Sequence, residues 1–146
     1  MNSTTKETVA VIKVVDGTAD ALWRFIRGGG DVHRILPGVI ETCRVEGFGA
    51  GARRYCDSKQ GPLEETILCV NDDARLFRYR IDRQSMMPLE HYEGSLHVTD
   101  LGNQRSEVLW FATYDLLDRS AAAPVRDGLT DLFQTGIEGM AAIAKG

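Results

Sequence analysis

Three stretches decide how this chain folds: RLFRYRID at residues 75–82, EHYEGSLHVT at 90–99 and SEVLWFATYDL at 106–116. In the first, Phe77, Tyr79 and Ile81 alternate with Arg78, Arg80 and Asp82. In the second, Tyr92, Gly94, Leu96 and Val98 alternate with Glu93, Ser95, His97 and Thr99. A period of two is the mark of a strand with one face on a core and the other in water. The third is apolar on both parities. Working back toward the N-terminus, Leu63–Val70, Ala52–Ser58 and Val39–Glu46 read as further strands, separated by Gly-, Pro- and Asn/Asp-rich turns. Val9–Val15 is a β-branched strand closed by Asp16-Gly17. Between it and the meander, Thr18 is placed to cap a helix that runs to Arg27 and ends at Gly28-Gly29-Gly30. A short helical turn over Asp31–Leu36 stops at Pro37-Gly38. At the other end, Leu129, Leu132, Phe133, Ile137, Met140 and Ala141 form a stripe at helical spacing over residues 123–145. One strand, two short helices, six strands and a long helix make an α+β chain with helices on one face of an antiparallel sheet.

The 146 residues suit one domain, with no repeat or linker to divide it. A net charge of -4, from 17 basic and 21 acidic residues, argues against a nucleic-acid or anionic-membrane partner. No apolar run is long enough to span a bilayer. Met1–Thr8 is polar and lacks the apolar core of a secretory leader, so a cytoplasmic location is the expectation. Cys43, Cys56 and Cys69 stand thirteen residues apart. That is no metal-ligand spacing, and an odd count makes no disulfide framework; they are expected as small buried hydrophobes in adjacent strands. The Gly28–Gly30 run follows a helix and lacks the Lys and Ser/Thr of a phosphate loop. No metal site or cofactor is expected.

A long sheet curled around one helix leaves a concave face wider than the helix fills, and such folds keep an apolar cavity there. Glu65, Ile67 and Cys69 against Glu64, Thr66 and Leu68, and Arg54, Cys56 and Ser58 against Arg53, Tyr55 and Asp57, do not reveal which parity faces in. Nor do Leu109, Phe111 and Thr113 against Val108, Trp110 and Ala112. The candidate ligand-binding set is Tyr79, Phe77, Leu96, Phe111, Thr113, Met87, Leu132 and Phe133. Trp23 and Trp110 read as scaffold. Isolated Gly94 marks a bend or a close approach by another group, with room for a ligand as one reason.

Several segments carry a resemblance: Ile35-Leu-Pro-Gly-Val-Ile40, Gly49-Ala-Gly-Ala-Arg-Arg54, Glu65 with Asn71-Asp72, Tyr79, Pro88-Leu-Glu-His-Tyr92 and Val108-Leu-Trp110. In this order the chain resembles the polyketide cyclase/dehydrase branch of the START-like (Bet v 1-like) superfamily over about Val9–Ile143. The resemblance implies a helix-grip fold, a seven-stranded antiparallel sheet around a long C-terminal helix with two short helices. Arg54, Glu65 and Tyr92 match family positions in or near the ligand cavity. The loops at Gly61-Pro62 and Met86–Pro88 match the gate and latch of related plant hormone receptors. Leu36–Gly38 stands where those receptors carry a ligand-pairing lysine, and Phe111 where they carry a second buried glutamate, so a receptor role does not carry over.

The expected function is to hold a small hydrophobic, polyketide-like or aromatic molecule and to catalyse its cofactor-free cyclisation or dehydration. Arg54 and Tyr92 would polarise a carbonyl and Glu65 would move the proton. The alternatives are a non-catalytic carrier and a stress-related, partner-binding protein whose cavity is filled by Phe77, Phe111, Phe133 and Met140. An edge strand could pair, so monomer and homodimer both stay open.

Overall fold

The alternating stretches become the last three strands of one curved sheet. The computed structural model describes residues 5–145; the first four residues of the polar N-terminus, and Gly146, lie outside the described residues. In chain order the elements are β1 (Thr5–Asp16), α1 (Ala19–Arg27), α2 (Val32–Ile35), β2 (Ile40–Glu46), β3 (Arg53–Ser58), β4 (Gly61–Asn71), β5 (Leu76–Arg83), β6 (Leu89–Gly102), β7 (Arg105–Leu116) and α3 (Ala122–Lys145). A 3-10 turn at Arg119–Ala121 precedes α3. The seven strands are antiparallel in the order β1-β7-β6-β5-β4-β3-β2. Six of them form a plain meander. β1 reaches its place beside β7 because α1 and α2 carry the chain across to the far edge, where β2 starts.

Local chemistry accounts for the helices. The Thr18 hydroxyl accepts from the Ala21 N–H and caps α1, whose Leu22, Trp23 and Ile26 turn inward. The Asp72 carboxylate in the β4–β5 turn accepts from Trp23 Nε1 at 2.8 Å and from Arg27 Nε at 2.9 Å. These two donors lower its pKa to about 2 and tie α1 to the sheet. α3 buries Val125, Leu129, Phe133, Ile137, Met140 and Ala141 against the concave face.

Register settles the faces that alternation left open. Directly opposed residues of neighbouring strands point to the same side. Gly94, Leu96 and Val98 of β6 face Ala112, Trp110 and Val108 of β7, so the inward phase of β6 turns those three inward as well. Phe111 and Thr113 therefore lie half-buried on the outer face, contrary to their expected place in the cavity. The same logic runs the other way. Tyr79 and Ile81 of β5 oppose Ile67 and Glu65 of β4, and Glu65 opposes Arg54 of β3, so both charged groups are carried inside.

The cysteines are also corrected. Cys43 of β2 stands directly opposite Cys56 of β3, and the two form a disulfide, leaving Cys69 as the free thiol. Opposed side chains on one face are close enough to bridge, a juxtaposition that equal sequence spacing does not reveal. No helix among the described residues is long and apolar enough to cross a membrane. Thiol titration of the unreduced, denatured chain is expected to find one reactive cysteine, and three after reduction. Reduction should lower stability by about 2–3 kcal/mol; three thiols before reduction would contradict the pairing.

Candidate functional site

Between the concave face and α3 the structure keeps a cavity of about 290 Å³. Its walls are mostly aliphatic: Leu36, Ile40, Leu63, Leu129 and Leu132, with Met86 and Met87 from the β5–β6 turn. The Gln84 side-chain amide holds that turn, donating to the carbonyls of Met87 and Leu89 and accepting from the N–H groups of Met86 and Met87.

One contiguous polar cluster interrupts the apolar lining. Arg54 and Glu65, 5% and 3% exposed, pair through Nε and Oε1 at 2.7 Å. Arg54 Nη1 donates to the Gly29 carbonyl at 3.0 Å, and the guanidinium lies 5.1 Å from the Tyr79 ring centroid. Gly29 adopts a φ of +76° in the triple-glycine run, and a β-carbon there would crowd Ile67. That run stops α1, as expected, and also delivers a backbone carbonyl to a buried cation. Burial works against the Arg54 charge, but the facing Glu65 carboxylate more than offsets it and the guanidinium pKa is raised. A guanidinium has five N–H donors, and two are spent here. Glu65 Oε2 has no hydrogen-bond donor among the described residues, while Glu65 lines the cavity.

Beside the pair, Trp110 Nε1 donates to the Tyr79 hydroxyl at 3.1 Å, and the Tyr79 and Tyr92 hydroxyls are 2.8 Å apart. All three residues line the cavity. Burial, then the Glu65 charge, pushes Tyr79 up to about 12; burial, then Tyr79, lifts Tyr92 well above its ordinary value. Both phenols therefore keep their protons. Two glycines make room for these rings. A β-carbon on Gly94 would sit 2.4 Å from the Tyr79 ring, and one on Gly136 of α3 would sit 2.5 Å from Trp110. The close approach expected at Gly94 is thus made by Tyr79, which fills the space suggested for a ligand. Phe133 stacks on Trp110, ring centroids 4.7 Å apart and 7° from parallel.

Of the residues singled out in the sequence, Arg54, Glu65, Tyr92, Tyr79, Met87 and Leu132 meet at this cavity. Phe77 and Leu96 instead line an adjoining void of about 30 Å³. Phe133 is fully buried behind Trp110 and supports the site without lining it. Phe111 and Thr113 are on the wrong face. Trp110, read as scaffold, is a polar member of the site; tracing the register out from β6 would have found it. Gln84 carried no sequence signal. None of the three histidines is among the lining residues, and His91 sits exposed on β6, paired with Asp115 at 2.7 Å.

This architecture, a meander gripping one long helix around a cavity, defines the helix-grip class. The sequence matches the family model described as polyketide cyclase/dehydrase and lipid transport over residues 6–145, and the chain belongs to that family. Similar solved structures include norcoclaurine synthase from Thalictrum flavum in complex with dopamine and hydroxybenzaldehyde. It is 16% identical, with a TM-score of 0.77 over 97% of this chain and 87% of that one. The Zhui aromatase/cyclase from Streptomyces sp. R1128 is 12% identical, with a TM-score of 0.81 over 97% and 94%. XoxI from Bacillus cereus is 17% identical, with a TM-score of 0.79 over 93% and 94%. At these identities the likeness is one of fold. Among curated proteins, no sequence matches this chain.

The ion pair makes a direct energetic prediction. Arg54→Met or Glu65→Leu alone strands a buried charge and should cost about 3–5 kcal/mol in urea unfolding, whereas the double variant should recover most of that loss. Additive losses would show that the two charges do not depend on each other.

Proposed function

We propose that this protein binds a small, oxygen-bearing aromatic or polyketide-like molecule in the cavity and catalyses its cofactor-free cyclisation or dehydration. The observation that carries this reading is a surplus of donors. Trp110, Tyr79 and Tyr92 bring three protons to a chain with two hydrogen bonds, so one O–H is left over in the cavity wall. Arg54 adds three unspent N–H groups. Buried donors of this kind require an acceptor, and a ligand carbonyl supplies one. The volume of about 290 Å³ has room for one or two rings.

The chemistry follows from that placement. Glu65 Oε2 removes a proton from the carbon next to the bound carbonyl. The electron pair moves onto the carbonyl oxygen, and the resulting enolate is held by a tyrosine O–H and the Arg54 guanidinium. The enolate carbon attacks a second carbonyl of the same molecule, closing a ring. The new alkoxide takes back the proton held by Glu65; for dehydration, Glu65 then removes a second proton from the same carbon and returns it to the departing hydroxyl, so that the C–O bond breaks, a C=C bond forms and water leaves. The apolar walls hold a flexible chain near this geometry, which is a large share of what such a step needs.

A carrier is the second reading, favoured by one observation: Glu65 is already bridged to Arg54 through Oε1, as a purely structural pair would be. Deuterium exchange separates the two. With 1-tetralone as probe, the wild-type protein in D₂O should exchange the hydrogens beside the carbonyl, and Glu65→Gln should slow that exchange about a hundredfold or more. Binding without exchange would leave the carrier; no binding of 1-tetralone, and no small molecule retained in native mass spectrometry of the protein from its own source, would overturn both.

A further inference from the structure

The surplus proton has a definite place, and Trp110 sets it. An indole N–H can only donate, so the Tyr79 oxygen is the acceptor of the 3.1 Å bond. The 2.8 Å contact between the two phenols can run either way. If Tyr92 donated to Tyr79, the Tyr79 oxygen would receive two donors while its own proton lacked a partner. If Tyr79 donates to Tyr92, the bonds run head to tail, Trp110 to Tyr79 to Tyr92, and each bond polarises the next. A further observation favours this direction. The Arg54 guanidinium lies over the Tyr79 ring at 5.1 Å, which draws charge from that phenol and strengthens it as a donor. Neither oxygen has another hydrogen-bond partner among the described residues.

The geometry points to Trp110 as a positioning residue: by donating to Tyr79 it aims the Tyr92 proton into the cavity, which thereby selects a ligand whose oxygen at that end is a ketone or aldehyde carbonyl. This deepens the reading above and rests on it. The packing around the indole is suited to the task. Gly136 admits the ring to the surface of α3, and Phe133 stacks flat on it, so the N–H cannot turn to another acceptor. A hydrocarbon of the same outline leaves the Tyr92 proton unpaired, and an unpaired buried donor is costly.

The test uses three probes of one shape: 1-tetralone, its alcohol 1-tetralol, and tetralin, which lacks the oxygen. Calorimetric titration should show wild-type protein binding 1-tetralone about tenfold or more tighter than tetralin, with 1-tetralol between them. The infrared carbonyl band of ¹³C-labelled 1-tetralone should move to lower frequency on binding. Trp110→Phe keeps the stacking on Phe133 but removes the N–H. It should narrow the preference for 1-tetralone over tetralin and reduce the carbonyl shift. If Trp110→Phe fails to fold, benzothienylalanine incorporated at position 110 replaces the N–H by sulfur within the same ring outline and should give the same two changes. An unchanged preference and an unchanged carbonyl band in either replacement would overturn the role of Trp110 while leaving cavity binding intact. Failure of the wild-type protein to bind any of the three probes would overturn this inference, and together with no small molecule retained in native mass spectrometry it would overturn the cavity reading as well.

Discussion

The buried pairing of Arg54 with Glu65 is the constraint on which the rest of the site depends. Two charges removed from water are tolerated only when each meets the other and the remaining polar atoms find partners. The fold meets that demand from three directions. β3 and β4 set the two side chains opposite each other, the glycine run after α1 supplies a carbonyl to the guanidinium, and β5 provides an aromatic face beneath it. Removing any of these would leave a cation or a carboxylate in an apolar interior. The cavity remains open partly because its polar floor cannot be covered by aliphatic side chains without orphaning donors.

Around that pair, the molecule uses glycine to bring large rings close to backbone. Gly94 lets Tyr79 lie on the sheet and Gly136 lets Trp110 lie against α3. Tyr79 is thereby brought within hydrogen-bonding distance of both Trp110 and Tyr92, although the three come from β5, β7 and β6. Packing and polarity are thus not separate layers here. The same aromatic side chains that fill the core between sheet and helix also carry the directional chain of protons. This arrangement argues against a vestigial cavity. Of the side chains proposed to fill one, Phe133 and Met140 are fully buried, Phe77 borders the adjoining void, Phe111 faces outward, and a chamber still remains.

Much of the fold was legible in the sequence because its signals are local. Alternation at Phe77–Ile81 and Tyr92–Val98, the Thr18 cap and the stripe on α3 each need only a few neighbouring residues to be read. The site was legible only where such a signal or a family motif reached it, as for Arg54, Glu65 and Tyr92. Where both faces of a strand are apolar, as in β7, the facing direction is decided by the neighbouring strand, and Trp110 and Phe111 exchanged places for that reason. The Cys43–Cys56 bridge is likewise a property of register. Gln84 could not be read at all, because its four hydrogen bonds depend on how one turn folds back on its own backbone.

The central claim is that the polar floor formed by Arg54, Glu65 and the Trp110–Tyr79–Tyr92 chain is where an oxygen-bearing ligand lands. The chain contains two tryptophans, and they form a built-in control. Trp110 Nε1 belongs to the floor, whereas Trp23 Nε1 is bonded to Asp72 at the β4–β5 turn and does not line the cavity. Following both indole N–H signals by ¹⁵N NMR during titration with 1-tetralone tests the claim most directly. The account predicts a saturable shift of the Trp110 signal with Trp23 unmoved. A saturable shift of Trp23 alone, or binding that leaves Trp110 unmoved, would contradict it.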